Sequence, residues 1–197
     1  ILGWRTTFNP FSFKPSWAEV ADLEEAAQLE RLADPDFRHK LITEESVYPD
    51  SDVQMLTELM ATAFTMQYEL SDGFDYEPSA QQSIAYLAEQ AGVSGAEYAY
   101  DLLMSDGGRG FIYFPLLNYA DGNLNFLEPV LQSDDCINSL SDGGAHCGTI
   151  CDAASPTFML QHWVRDREGF KLSLSQAIKR QCADTAKVYG LDDRGVL

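Results

Sequence analysis

Positive charge is scarce in this chain. The 197 residues hold 13 lysines and arginines against 31 aspartates and glutamates, for a formal net charge of −18 and a pI near 4.3. Phosphate recognition needs clustered cations, so neither nucleic acid nor an anionic membrane is an expected partner. Long apolar runs are missing too. No stretch reaches the roughly 18 apolar residues of a membrane span. The first residues, ILGWRTTFNPF, lack the basic start and cleavage pattern of a secretion signal. Cysteine is sparse: Cys136, Cys147, Cys151 and Cys182 are too few, in so long a chain, for a disulfide framework. The expected location is therefore the reducing cytoplasm, and the acidic surplus reads as a solubilising surface.

What is present is enough for a core. Hydrophobic residues make up 45% and aromatics 12% of the chain. That suits one globular domain, or a piece of a larger one. Helix starts are legible. Ser16 with Glu19 reads as a capping box opening a helix near 17–32. Asp34-Pro35 reads as an N-cap with proline in the first turn, opening a helix to about 44. Leu56, Leu59, Met60, Ala63 and Phe64 share one helical face, and an extended run follows at 66–70. Ser79 with Gln82 and Ser94 with Glu97 open helices near 80–91 and 95–104, with Gly92 as the stop between them. Asn123 reads as the cap of a helix to about 132 that Pro129 should kink. Ser155-Pro156 opens a helix to about 167. Ser173 with Gln176 opens another to about 188, and Gly190 stops it.

Two short apolar runs interrupt the helices, FIYFPL at 111–116 and CINSLS at 136–141. Each precedes helix. Strand followed by helix implies βα units with parallel strands buried on both faces. Two strands do not make a stable parallel sheet, so further strands are expected outside this chain.

In parallel α/β proteins, chemistry sits where strands end. Asp142 holds that position after the second run. Gly143 and Gly144 allow a sharp turn and a close backbone approach, and His146 lies four residues past the acid. A carboxylate so placed can ligate a metal, act as a general base on a metal-bound water, or do both. Spacing alone also fits a glycine-rich turn capped by Asp142, with His146 on the surface.

The longer string LSDGGAHCGTICDAASPTFMLQHWVRDR, 140–167, resembles the last barrel strand and following segment of the amidohydrolase superfamily, within the N-acyl-D-amino-acid deacylase (D-aminoacylase) group. YEPSAQQSIAYLAEQAG (76–92), YDLLMSDGGRGFIYFPLLNYADGNL (100–124), LSLSQAIKRQCADTAKVYGLDDRGVL (172–197) and the first 42 residues are similar to the same group. The resemblance implies an α/β chain, part of a TIM-like (β/α)8 metal-dependent hydrolase barrel with a helical insertion. It implies one or two divalent metals, usually Zn2+, and hydrolysis of the amide of a small N-acyl amino acid. Asp142 would contact the metal and handle the proton of the attacking water. Gly143, Gly144 and His146 would line and orient the substrate.

The departure from the family is large. Its H-x-H pair, metal-bridging residue and later ligand histidines have no counterpart, since the three histidines are His39, His146 and His162. One carboxylate cannot hold a catalytic zinc, which takes about three protein ligands. The chain thus resembles a C-terminal portion of the barrel. Residues 1–75 are expected as a strand end plus a helical insertion or lid, 76–190 as the last βα units, and 191–197 as the return to a small β-sandwich. The isolated chain is expected to be inactive. Its expected partner is the missing barrel half, or another copy if the chain serves as a non-catalytic binding or self-association module.

Other residues carry simpler expectations. Asp142, His146, Cys147 and Cys151 can also be read as a local zinc cluster, though not with standard module spacing. Cys136 and Cys182 are expected in the core. His162 is expected to pack or cap, His39 to be solvated, and Arg165 and Arg167 to be surface or interface residues or to bind a carboxylate. Tyr113, Phe114 and Tyr119 suit either an acyl pocket or plain core. Glu24-Glu25 and 44–52 read as solvated surface.

Overall fold

A computed structural model describes residues 1–138 and 152–195. The chain divides into two compact units, Ile1–Gly122 and Asn123–Leu197.

The first unit is helical, with a small sheet. Its helices are α1 (Glu25–Leu32), α2 (Pro35–Thr43), α3 (Gln54–Thr62), α4 (Ile84–Ala91) and α5 (Gly95–Gly108). Local chemistry starts several of them. Asp34 accepts from the amides of Asp36 and Phe37 ahead of α2. Ser94 and Glu97 form a complete capping box on α5, and Ser79 with Gln82 forms one on the 3₁₀ helix Ala80–Gln82. Each satisfies donors a helix start leaves free. Gly92 ends α4 in the left-handed region, at φ 71°.

Ser16 does not cap a helix through 17–32. Pro15–Glu19 is a 3₁₀ helix, and the α-helix begins only at Glu25. A distant competitor explains this. Glu44 takes both the amide and the hydroxyl of Ser16, at 2.8 Å each. Glu19 is engaged instead by Lys40 at 2.7 Å and Arg31 at 3.3 Å. Glu44, expected on the solvated surface, is thereby half-buried.

Two two-residue strands, β1 (Tyr68–Glu69) and β2 (Ile112–Tyr113), pair antiparallel, with Tyr68 opposite Tyr113. Leu2 bridges the other edge of Ile112, also antiparallel. The 111–116 run therefore forms a short antiparallel strand here, not the parallel strand its apolar run suggests. Pro115 has no N–H to extend the ladder.

The core joins early and late residues of this unit. Leu2, Phe11, Leu32, Phe37, Leu41, Met60, Ile84, Leu103 and Ile112 belong to one buried cluster. At its centre, Trp4 contacts Tyr100, Phe11 and Trp17 at centroid separations of 5.1, 5.6 and 5.6 Å. Such aromatic pairs add about 0.5–1.5 kcal/mol each beyond their buried area. Helices of the 17–75 region thus share their core with α4, α5 and β2.

The second unit holds α6 (Leu127–Gln132), α7 (Ser155–Leu160), α8 (Leu174–Lys179) and α9 (Thr185–Val188). Pro129 does not kink α6. It sits in the first turn, where a missing N–H costs no intrahelical bond. Asn123 caps its own turn, accepting from Asn125 N at 3.0 Å, and the helix starts three residues later than expected, at Leu127. Ser173 and Gln176 form the predicted capping box on α8. Two π-helical turns extend these helices: Gln161–Asp166 follows α7, and Arg180–Asp184 joins α8 to α9. The helices predicted to 167 and 188 are therefore present but locally widened.

Candidate functional site

Asp142, Gly143, Gly144 and His146 lie outside the described residues, as do Cys147 and Cys151. Both banks of their segment are described, and one helix holds them.

Arg180 grips the upstream bank. Its side chain is buried, and its guanidinium donates to Ser133 O twice at 3.1 Å, to Val130 O at 3.3 Å and to Cys136 O at 3.0 Å. Val130 and Ser133 lie at the C-terminus of α6, where the carbonyl dipoles attract a cation; Val130 O also accepts from Ser133 N at 3.3 Å. Every described partner of this guanidinium is a backbone carbonyl, and its Nε makes no described hydrogen bond. Gln181, the next residue, holds the downstream bank. Its Nε2 donates to Pro156 O in the first turn of α7 at 3.1 Å. Consecutive residues at the start of one π-turn thus tie down Cys136 and Pro156. Insertions of this kind recur at functional sites because they redirect side chains that a regular helix would spread apart.

The region beyond α7 is tied as firmly. Arg167 is buried, which rules out the surface place among those expected for it, and a carboxylate is one of its partners. It faces Glu128 at 3.2 Å, Asn125 and the Phe170 carbonyl at 3.1 Å, over the face of Trp163 at 4.6 Å. Glu128 and Asn125 are thus among the groups that hold its fork. Arg165 is exposed and pairs with its neighbour Asp166, whose carboxyl the guanidinium holds below its usual range. His162 packs as expected, stacked on Phe158 at 5.2 Å and edge-on to Trp163 at 5.6 Å. His39 is exposed.

The cysteines differ from expectation. Cys136 is half-buried and Cys182 exposed, so neither is a core residue. Cys182 follows the buried Arg180 by two residues, about 200° round a regular helix, which puts it on the outer face.

In the first unit, Tyr113 joins a packed aromatic group, Phe114 belongs to the core cluster, and Tyr119 is buried. Tyr113 meets Phe74 and Tyr76 edge-on at 4.6 and 6.5 Å, and Phe114 is buried. Tyr119 donates to Pro78 O at 3.0 Å. Burial pushes both phenols well above their usual range, so both stay neutral donors.

Among the described residues, no group of three or more His, Cys, Asp and Glu side chains can hold a metal ion. No described helix is long and apolar enough to cross a membrane. Comparison with family models, curated proteins and solved structures finds no match for the chain in any of the three.

Sequence reasoning missed Arg180 and Arg167 as anchors, because arginine in a polar helix reads as solvated. The available signal was position: Arg180 follows Ala177 by three residues, on the buried face of the helix.

Proposed function

We propose that this chain supplies one wall of the active site of a metal-dependent amidohydrolase that cleaves the amide of N-acyl-D-amino acids. The enclosing architecture in this reading is a TIM-like (β/α)8 barrel with a helical insertion. The observation that carries the proposal is the string 140–167, which sets an acid, two glycines and a histidine before SPTFMLQHW. The anchoring of Cys136 and Pro156 by Arg180 and Gln181 supports it, since a catalytic segment needs fixed ends.

The described residues do not form a metal site. The divalent metal of this proposal, Zn2+ by resemblance, belongs to Asp142 and to ligands supplied from beyond this chain. Asp142 acts as the proton carrier. Its carboxylate takes a proton from the attacking water and returns it to the leaving amine nitrogen as the C–N bond breaks. Gly143 and Gly144 let the substrate approach the backbone, and His146 orients it.

The test uses the longest natural polypeptide that carries these 197 residues. N-acetyl-D-amino acids and their L-enantiomers are offered, and release of free amino acid is followed by chromatography, with metal content measured on the same samples. Turnover of the D-series, reduced at least about 100-fold by Asp142→Asn with unchanged thermal stability, is expected. Full activity in Asp142→Asn would refute the assignment. Absence of any amidase activity, together with a dimer or larger species in light scattering, would favour the self-association reading.

A further inference from the structure

Peptide bonds join an aspartate to a glycine at Asp72–Gly73, Asp106–Gly107, Asp121–Gly122 and Asp142–Gly143. The last lies outside the described residues. In such a pair the side-chain carboxyl and the next amide are neighbours by covalent connection, and glycine has no Cβ to hinder their approach. The three described pairs differ in how freely those two groups can meet.

Asp72–Gly73 is the open one. Both residues are exposed. Ser71–Phe74 is a turn closed by Phe74 N, which donates to Ser71 O at 3.2 Å. That bond spans the Asp72–Gly73 peptide without using it. Among the described residues, the Gly73 amide donates to none and the Asp72 carboxyl accepts from none. A Cβ placed on Gly73 would meet nothing within 4 Å, so the peptide has room to turn.

The other two are held. The Gly122 amide donates to Tyr119 O at 3.1 Å. Asp106 and Gly107 are wound at φ 48° and 66° within the end of α5. Arg109 N closes that winding on Ser105 O at 3.0 Å. Gly108 and Gly110 pack closely beside it: an added Cβ would lie 2.2 Å from Leu29 and 1.9 Å from Leu102 O. Turning the Asp106–Gly107 peptide would press on those contacts.

We propose that Asp72 is a site of spontaneous isoaspartate formation, and the fastest of the three. The Gly73 nitrogen attacks Cγ of the protonated Asp72 carboxyl. The N–Cγ bond forms, and the amide proton and the carboxyl hydroxyl leave as water. The resulting succinimide takes up one water. Opening at Cγ restores aspartate; opening at the backbone carbonyl leaves the chain running through Cβ and Cγ, with the former carbonyl as a free carboxylate. Mass and oxidation state are unchanged overall. The main chain gains one carbon just ahead of Phe74, whose ring lies 4.6 Å from Tyr113. This inference stands without the amidohydrolase reading.

The 197-residue chain is aged in buffer at neutral pH and physiological temperature, with a parallel sample in urea. Isoaspartate is read in chymotryptic peptides by electron-transfer mass spectrometry. Its total is read by labelling with a protein-isoaspartate methyltransferase. In the folded chain, conversion at Asp72 should run at least about fivefold faster than at Asp121, the worth of one retained amide hydrogen bond. In urea the sites should convert at similar rates. Asp72→Ser, which removes an exposed carboxyl without a described partner, should abolish most of the folded-state label. Ageing should also shift the Tyr113 and Phe74 ring signals in NMR, and should not do so in Asp72→Ser. The proposal is overturned if Asp72 converts no faster than Asp106 or Asp121 in the folded chain. It is equally overturned if the same ranking persists in urea, which would assign the difference to sequence alone.

Discussion

Replacing Arg180 with methionine should loosen both α6 and the segment that follows it. The guanidinium makes four hydrogen bonds to three carbonyls, those of Val130, Ser133 and Cys136, at 3.0–3.3 Å. Charge-assisted bonds contribute about 1.5–3 kcal/mol each when the partner stays dry. These carbonyls sit on half-buried residues, so water reaches part of what the side chain leaves. Methionine also retains most of the packing of the arginine stem. The net loss should therefore be about 2–3 kcal/mol, well below the sum of the four bonds. For a chain of this size that lowers the melting temperature by roughly 5–10 °C. Thermal unfolding measures the loss, and limited proteolysis locates it, with faster cleavage between Cys136 and Pro156 in the variant. Arg180→Lys should recover little, because a point-like ammonium cannot serve three carbonyls as the planar fork does. A loss below about 0.5 kcal/mol, or an unchanged cleavage pattern, would refute the view that Arg180 anchors this bank.

Asp34→Ala should cost about 1 kcal/mol in urea unfolding, since two α2 amides lose their acceptor; no change would mean that water serves those amides equally well. Gly110→Ala should destabilise by about 2 kcal/mol or more, because an added Cβ would lie 1.9 Å from the Leu102 carbonyl oxygen, which backbone cannot yield cheaply; a melting temperature equal to wild type would contradict it. Glu97 has its carboxyl held below the usual range by the Ser94 amide and hydroxyl. A depressed folded-state pKa stabilises above the ordinary value of about 4.3, and that contribution disappears as pH falls through the lowered value. Chemical unfolding across pH should therefore show the gap between wild type and Glu97→Ala closing below pH 4; a constant gap would exclude the linkage.

Elements governed by near neighbours were legible in the sequence. Ser94 and Ser173 each find their capping partner three residues on and open the expected helix, whereas the Ser79 box opens only the turn Ala80–Gln82 and Ser83, extended, caps α4 in its place. Ser16 carries the same pattern, but Glu44 lies 28 residues away and takes its hydroxyl. No local rule registers such a competitor. Pro129 shows a smaller error of the same kind: its effect depends on where the helix starts, and propensity locates that only to within a turn. Cys182 was misjudged because residue type alone suggested the core, whereas it lies about 200° round the helix from the buried Arg180. The candidate site was legible only through the resemblance of 140–167. Its anchors were hidden, since Arg180 is paired with backbone oxygens that sequence does not display as partners.

The π-turn at Arg180–Asp184 bears on how this helix tolerates changes in length. A π-turn is an α-helix that has absorbed one extra residue. Deleting one residue within 181–184 would restore regular winding while preserving the Ser173 capping box upstream. Because the π-turn already takes up the extra residue, everything after the deletion would keep its present direction, with Ala186 still on the buried side. Point substitutions here would be read as changes in packing. A single-codon deletion within 181–184 should by contrast cost less than one inside a regular helix such as α2, a difference that a deep mutational scan including deletions would read.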